Sequence, residues 1–169
     1  MKFFVKFLVY LISLKIVSAC QGHKLKVNYI QNIDSDSVIK IMENSTAKLT
    51  KDCFIIPSAC GRTNGFNTAM VHVEVFKNNL SIHKSDFDGC KNLEDAQPEF
   101  KEMIKMFGLP EHCPVSKVDT CEDGSKKIDL NKYKHIFNLA RGGAIRTEVE
   151  IKHDNGKSTF KSEFQITKN

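Results

Sequence analysis

Most of the chain alternates between apolar and polar residues with a period of two, which is the pattern of a half-buried β-strand. The run KLKVNYI places Leu25, Val27 and Tyr29 on one face, and the run AMVHVEVF repeats the pattern. Further alternating runs are NLSIHK, KKIDLNKYKHIF, AIRTEVEIK and STFKSEFQIT. Roughly seven or eight short strands at this spacing predict a sandwich or barrel of antiparallel sheets.

Turn-forming residues separate these runs. The turn candidates are Lys77-Asn78-Asn79, Glu122-Asp123-Gly124, Arg141-Gly142-Gly143 and Asp154-Asn155-Gly156. The last of them stands between two alternating runs and is a strong hairpin signal. No linker, internal repeat or low-complexity stretch divides the chain, so we predict a single domain over residues 20–169.

One segment, AQPEFKEMIKMFG, departs from the alternation. Its apolar residues recur at the spacing of one helical face. They are Phe100, Met103, Ile104 and Phe107. Pro98 suits a first helical turn and Gly108 suits a C-terminal cap. The segment therefore predicts one short helix over residues 98–107.

The N-terminus has the features of a secretory signal peptide over residues 1–19: a basic start, an apolar middle and small residues at Ser18 and Ala19. Lys15 interrupts the apolar run before it reaches the roughly 18 residues that a membrane span needs. Cleavage after Ala19 leaves Cys20 on the mature chain, whereas cleavage one residue later removes it. We therefore expect a secreted, extracellular protein.

Charge argues against a nucleic-acid partner. The signal segment carries three lysines and no acidic residue, so its removal lowers the formal net charge from +5 to +2. Lysines alternate with acidic residues along the rest of the chain, and a basic stripe of the kind that contacts a phosphate backbone is missing from the sequence.

The cysteines predict disulfides, because all six follow a signal peptide and no pair has the spacing of a metal site. Fifteen pairings are open to six cysteines. We prefer Cys53–Cys60, which encloses the short run CFIIPSAC, and Cys90–Cys113, which brackets the predicted helix. Cys20–Cys121 is then the remaining pair. The sequons at Asn44 and Asn79 are candidate glycosylation sites.

Catalytic signatures are missing from the sequence. It contains no GxSxG elbow, no HExxH pair and no glycine-rich phosphate loop. His72 and His83 stand within alternating runs and are expected on solvent-facing sides of strands. We therefore expect a protein that is not an enzyme and needs neither a metal nor another cofactor.

The C-terminal half resembles the ML lipid-recognition domain superfamily, in particular ganglioside-activator-like and insect chemosensory secreted proteins. The resemblance covers roughly residues 86–166. It is carried by FDGCKNL, the predicted helix, GLPEHCPV and the hairpin GGAIRTEVEIKHDNGKSTFKSEFQI. It implies a bond between Cys90 and Cys113 and an immunoglobulin-like β-sandwich with an apolar cavity between its two sheets. It also implies a monomeric, non-enzymatic carrier of a lipid or another small hydrophobic molecule, with transient membrane contact.

Inward-facing residues of the strands would line that cavity. They are Phe54, Ile56, Val73, Val75, Ile82, Ile128, Leu130, Val149, Ile151, Phe160 and Phe164. The helix face formed by Phe100, Met103, Ile104 and Phe107 would cover one rim. A filled sandwich core would show the same alternation, so periodicity alone does not distinguish a cavity from a packed interior.

The alternative prediction is a secreted effector or inhibitor that binds another protein. It would use the segment CFIIPSACGRTNGF, residues 53–66, as an exposed loop and insert Arg62 or Phe66 into its partner. This function needs no internal cavity. The two hypotheses therefore differ in what fills the space between the sheets.

Overall fold

The computed structural model describes residues 20, 22–42, 44–96, 101, 112–133 and 138–168, which form an all-β sandwich. Its ten described strands are β1 His23–Asn32, β2 Ile39–Ile41, β3 Thr46–Leu49, β4 Phe54–Thr63, β5 Ala69–Lys77, β6 Leu80–Asp88, β7 Val118–Glu122, β8 Ile128–Asp129, β9 Ile145–His153 and β10 Gly156–Lys168. The helix α1 covers Gly89–Asp95. The predicted all-β class, with two antiparallel sheets and one short helix, is confirmed.

The first sheet has the strand order β1-β10-β9-β5-β6, and every pair in it is antiparallel. Two-residue turns close its hairpins, as the sequence predicts. Asp154 and Asn155 connect β9 to β10. Asn78 and Asn79 connect β5 to β6 with φ angles of 50° and 65°. Asparagine tolerates this left-handed conformation better than most residues, which explains its presence in the turn.

The second sheet is built around β4. Strands β2 and β3 pair with successive parts of β4, and so do β7 and β8. Within the described part, the two sheets meet mainly at β1, which packs against β3 and β2. The first sheet therefore has a broad inner face, and the second sheet packs on it mainly at the β1 edge.

The segment 53–66 is not an exposed loop, so this part of the protein-binding hypothesis is wrong. Most of it is β4, a strand that hydrogen-bonds to partners along its length. The Phe66 side chain is only 8% exposed and lies 4.3 Å from the His153 ring. Arg62 remains exposed, whereas Phe66 is buried in the sandwich.

The run KKIDLNKYKHIF is not one strand either. Pairing with β4 ends at Asp129, and residues Leu130–Tyr133 form a 3₁₀ helix. The Asp129 carboxylate accepts hydrogen bonds of 2.9 Å from the backbone and side-chain nitrogens of Asn131. This local bonding turns the chain away from the ladder and overrides the alternating pattern.

The predicted helix over 98–107 lies outside the described residues except for Lys101, which is helical. The described helix α1 comes earlier and was not predicted. It buries no side chain and is capped by Asp88, whose carboxylate accepts from the Lys91 backbone nitrogen at 3.1 Å. A short helix that has an N-cap but no apolar face gives little periodic signal in the sequence.

The predicted signal segment, residues 1–19, also lies outside the described residues. In the part of the chain that the structure describes, no helix is long and apolar enough to cross a membrane.

Three disulfides join the six cysteines: Cys20–Cys53, Cys60–Cys121 and Cys90–Cys113. The preferred pair Cys90–Cys113 is present. The preferred pair Cys53–Cys60 is wrong because β4 is extended between these residues, at about 3.3 Å per residue, which separates them by about 20 Å. The pair Cys20–Cys121 is wrong as well. Cys121 instead lies directly opposite Cys60 across the β4–β7 ladder, with the two Cα atoms 4.1 Å apart.

The buried apolar residues of the described part, apart from Ile128, form two clusters. The first cluster joins the N-terminal disulfide to the start of β9 and the end of β10; its members are Cys20, Leu49, Cys53, Leu130, Ala140, Ile145 and Ile166. The second lies at the other end of the same strands and consists of Val38, Phe66, Ala69 and Val115. The Cys90–Cys113 bond packs against the second cluster.

Candidate functional site

The inner face of the first sheet runs between these two clusters. Ile145 of β9 is buried in the first cluster and Ile151 packs against the second, so both point inward. Because side chains alternate along a strand, Thr147 and Val149 between them point inward too. The ladder places Val149 opposite Val73 of β5 on one side and Phe160 of β10 on the other.

We call the central part of this face the inner wall. Its residues are Val73, Thr147, Val149, Phe160 and Ser162. All are only half-buried, and neither buried cluster includes them. At the two ends of the face, by contrast, Ile145 is 3% exposed and Ala69 is 7% exposed. The centre of the sheet is thus packed less completely than its ends.

The structure places the predicted cavity residues in several different surroundings. Those on the inner face of the first sheet are Val73, Val75, Val149, Ile151, Phe160 and Phe164. Ile128 and Leu130 are buried, at 8% and 4% exposed. Ile82 lies at the β5–β6 bulge and is 45% exposed. The predicted rim residues Phe100, Met103, Ile104 and Phe107 lie outside the described residues.

Phe54 and Ile56 lie on the outward face of β4. Their neighbours Ile55 and Pro57 face the interior: Ile55 packs against the first cluster and Pro57 is almost fully buried. Strand alternation therefore assigns Phe54 and Ile56 to the side that carries exposed Ser58 and Arg62. The prediction that Phe54 and Ile56 face inward is therefore wrong, because the inward positions are one residue further along the strand, at Ile55 and Pro57.

Two polar members of the inner wall, Thr147 and Ser162, were not predicted. They are direct partners across the β9–β10 ladder. The signal was available in the sequence, since a two-residue turn at Asp154 and Asn155 sets this register. A prediction based on apolar residues alone does not include them.

A polar network fixes the end of the inner face beside the second cluster. The Asp154 carboxylate accepts from the backbone nitrogens of Asn67 and Thr68 at 2.8 and 3.2 Å, and from the Asn67 side-chain nitrogen at 2.7 Å. Asn155 donates to the Gly65 carbonyl oxygen at 2.7 Å. The β9–β10 turn is thereby tied to the chain that leads into β5.

These contacts change the ionisation of the turn. Hydrogen bonds from the Asn67 and Thr68 backbones lower the pKa of Asp154 from 3.8 to about 2. Burial lowers the pKa of neighbouring His153 from 6.5, against the opposing effects of the Thr68 backbone and the Asp154 charge. The turn is therefore most stable with an ionised aspartate and a neutral histidine.

We expect the Asp154→Asn variant to be less stable than the wild type near neutral pH, by a difference that shrinks as the pH falls from 3.8 towards about 2. The folded pKa of Asp154 lies below the unfolded value of 3.8, so its contribution is present above that value and lost as the pH falls towards about 2. Urea unfolding at pH 6, 4 and 2.5 measures the difference. A difference that stays constant across this range would contradict the assignment.

One serine and one histidine lie in contact, but they are not arranged for catalysis. His153 Nε2 is 3.0 Å from Ser158 Oγ. Ser158 is 0% exposed and its hydroxyl already accepts from the Ile39 backbone nitrogen at 2.9 Å. Asp154 is held by Asn67 and Thr68. A buried hydroxyl with a structural donor does not meet the geometry of an activated nucleophile.

The outward face of the second sheet carries two adjoining clefts of about 630 and 620 Å³. Both are lined by Lys40, Arg62 and Asp119, which lie side by side on β2, β4 and β7. Lys40 Nζ donates to the Ser35 carbonyl oxygen. The sequon residue Asn44 stands at the rim of the second cleft and is exposed, as is Asn79 in the β5–β6 turn.

Among the described residues, no group of three or more histidine, cysteine, aspartate or glutamate side chains is placed to hold a metal ion. The cysteines in this part of the chain are all in disulfides.

A curated relative shows the family. No family model matches the chain. Sporozoite-associated mosquito saliva protein 1 of Anopheles gambiae is 39% identical over 153 residues, which cover 88% of this chain and 84% of the relative. The chain belongs to the family of this saliva protein. Because the relative is a saliva protein, it supports the predicted secreted, extracellular location.

The three disulfides of this saliva-protein family member agree with an oxidising compartment. The resemblance to ML domains rests on the sequence elements around Cys90, Cys113 and the β9–β10 hairpin, and no family model matches it.

Proposed function

We propose that this protein is a secreted, non-enzymatic binder of a lipid or another small hydrophobic molecule, held between its two sheets as in ML domains. The observation that carries the proposal is the inner wall: an apolar strip at the centre of a sheet, half-buried, between two fully buried clusters. A ligand that covers this apolar surface removes it from water, which stabilises the complex by about 25 cal/mol per Å² buried.

The composition of the wall suits such a ligand. Val73, Val149 and Phe160 adjoin one another across three strands and present hydrocarbon only. Sites for hydrophobic molecules are lined mainly by apolar and aromatic side chains with a few polar groups. The opposite face of the same sheet is polar, with Lys161 Nζ and Glu148 Oε1 3.2 Å apart, so the two faces differ sharply in chemistry.

The Val149→Phe variant should bind an uncharged hydrophobic probe about tenfold more weakly than the wild type. The larger ring would fill the space that a ligand on the wall needs, and overfilling of this kind costs about 1–3 kcal/mol, where 1.4 kcal/mol is tenfold in affinity. N-phenylnaphthylamine, which fluoresces in apolar surroundings, measures the change by titration into delipidated protein.

Glu150→Phe is the matched control, because Glu150 is the next residue on β9 and faces the opposite side of the sheet. It should bind the probe like the wild type. Equal weakening in both variants would contradict an inner site. Native mass spectrometry of protein from its own tissue is the second readout, and a co-purifying lipid would support the proposal.

A protein-binding role is the second candidate, and the relative's name favours it because it describes a saliva protein associated with sporozoites. In this chain the surface for such a role would be the outward face of β4 around exposed Arg62. Wild-type protein that takes up no probe and carries no lipid would favour this function over the carrier.

A further inference from the structure

Two hydroxyl groups interrupt the apolar inner wall. Thr147 and Ser162 are direct cross-strand partners on β9 and β10, and both are half-buried. Their positions in the alternation place them on the same face as Val149 and Phe160. They lie next to the first cluster, since Ile145 and Phe164 are the following inward pair.

Neither hydroxyl hydrogen-bonds to another described residue, although paired serine and threonine side chains in sheets often bond to each other. The inward hydroxyl of Ser158, by contrast, accepts from the Ile39 backbone nitrogen at 2.9 Å. Each hydroxyl offers one donor and two acceptor sites. Withdrawn from water by an apolar ligand, an unpaired hydroxyl would cost about 1–3 kcal/mol.

We propose that Thr147 and Ser162 form a polar subsite that selects a hydrophobic ligand with a neutral hydroxyl or carbonyl oxygen. This inference rests on the proposed function. The ligand's hydrocarbon lies along Val73, Val149 and Phe160, and its oxygen meets the two hydroxyls beside the first cluster. A pure hydrocarbon would leave both hydroxyls unpaired.

The neutral character of the ligand oxygen follows from the surroundings. The inward positions directly beside the two hydroxyls are Val75 of β5, Val149 of β9, Phe160 of β10 and Ile30 of β1, and none of them carries a charge; Lys77, opposite Ile145, is the next inward position on β5. An ionised carboxylate at the subsite would lose its water and meet no cation among these direct neighbours, which is unfavourable. Alcohols, and carbonyl compounds without a free acid group, fit the subsite better than fatty-acid anions.

Displacement of bound N-phenylnaphthylamine by n-octanol, n-octane and octanoate at pH 7 tests the inference. The double variant Thr147→Val with Ser162→Ala should bind n-octanol about tenfold more weakly than the wild type, as expected for two neutral hydrogen bonds. Its affinity for n-octane should change less than about twofold, because both substitutions keep the wall's shape. In the wild type, octanoate should bind more weakly than n-octanol.

Thr167→Val is the matched control. Thr167 is on β10 but faces the outer side of the sheet, opposite Lys24, so its loss should change no affinity. If the double variant does not fold, the single variants Thr147→Val and Ser162→Ala replace it, each with about a threefold loss for n-octanol. Circular dichroism checks the fold of every variant.

The outcomes separate the two claims. A wild type that binds the probe and n-octane, together with a double variant that keeps its n-octanol affinity, overturns the subsite and leaves the hydrophobic binder standing. A wild type that binds none of these molecules overturns the proposed function and the subsite with it.

Discussion

Replacing Cys60 and Cys121 together with serine should lower the free energy of unfolding by about 4 kcal/mol. The bond closes a loop with a sequence separation of 61 residues, and the chain-entropy account of disulfides gives about that value for a loop of this size. The bond links β4 to β7. Without it, the unfolded chain between residues 60 and 121 is no longer closed into a loop and gains conformational entropy.

This bond isolates the effect of the cross-link better than the N-terminal one. Cys60 is half-buried and Cys121 is exposed, so serine replaces both without leaving a polar group in the core. Cys20 and Cys53 are each 1% exposed in the first cluster, where serine would also disturb packing. Urea unfolding under non-reducing conditions measures the loss. A loss below about 1 kcal/mol would show that the cross-link does not restrict the unfolded chain as assumed.

The β9–β10 hairpin could be read from the sequence because its signals are local. Alternation over both strands and the turn at Asp154-Asn155-Gly156 set the same register. That register is enough to place Val149 opposite Phe160. The inner face of the first sheet was therefore accessible to sequence reasoning, including the two hydroxyls that were passed over.

The second sheet was harder to predict because its signals are ambiguous or distant. Phe54, Ile55 and Ile56 are three apolar residues in a row, so alternation does not say which of them faces inward. Pairing across the sheet decides this: Ile55 lies opposite buried Leu49 and Ile128. The disulfide Cys60–Cys121 depends on the same long-range pairing and could not be chosen from spacing along the chain.

Substitution of Ile145 by alanine should lower the free energy of unfolding by about 3 kcal/mol. Ile145 is 3% exposed in the first cluster, where it adjoins Phe164 across the ladder. The cluster also contains the Cys20–Cys53 bond and Leu130, so it fastens the N-terminus and the 3₁₀ helix to the first sheet. Side chains held by a disulfide and a ladder have little freedom to close a new cavity, which keeps the cost from falling below the usual range of about 2–5 kcal/mol for such substitutions.

Ile82→Ala is the matched control, with the same atoms removed from a side chain that is 45% exposed on β6. It should change the free energy of unfolding by less than about 0.5 kcal/mol. Equal losses in the two variants would mean that the first cluster is not the packed end of the sandwich. The comparison therefore tests, by stability alone, whether the first cluster is the packed end of the sandwich that the half-buried inner wall adjoins.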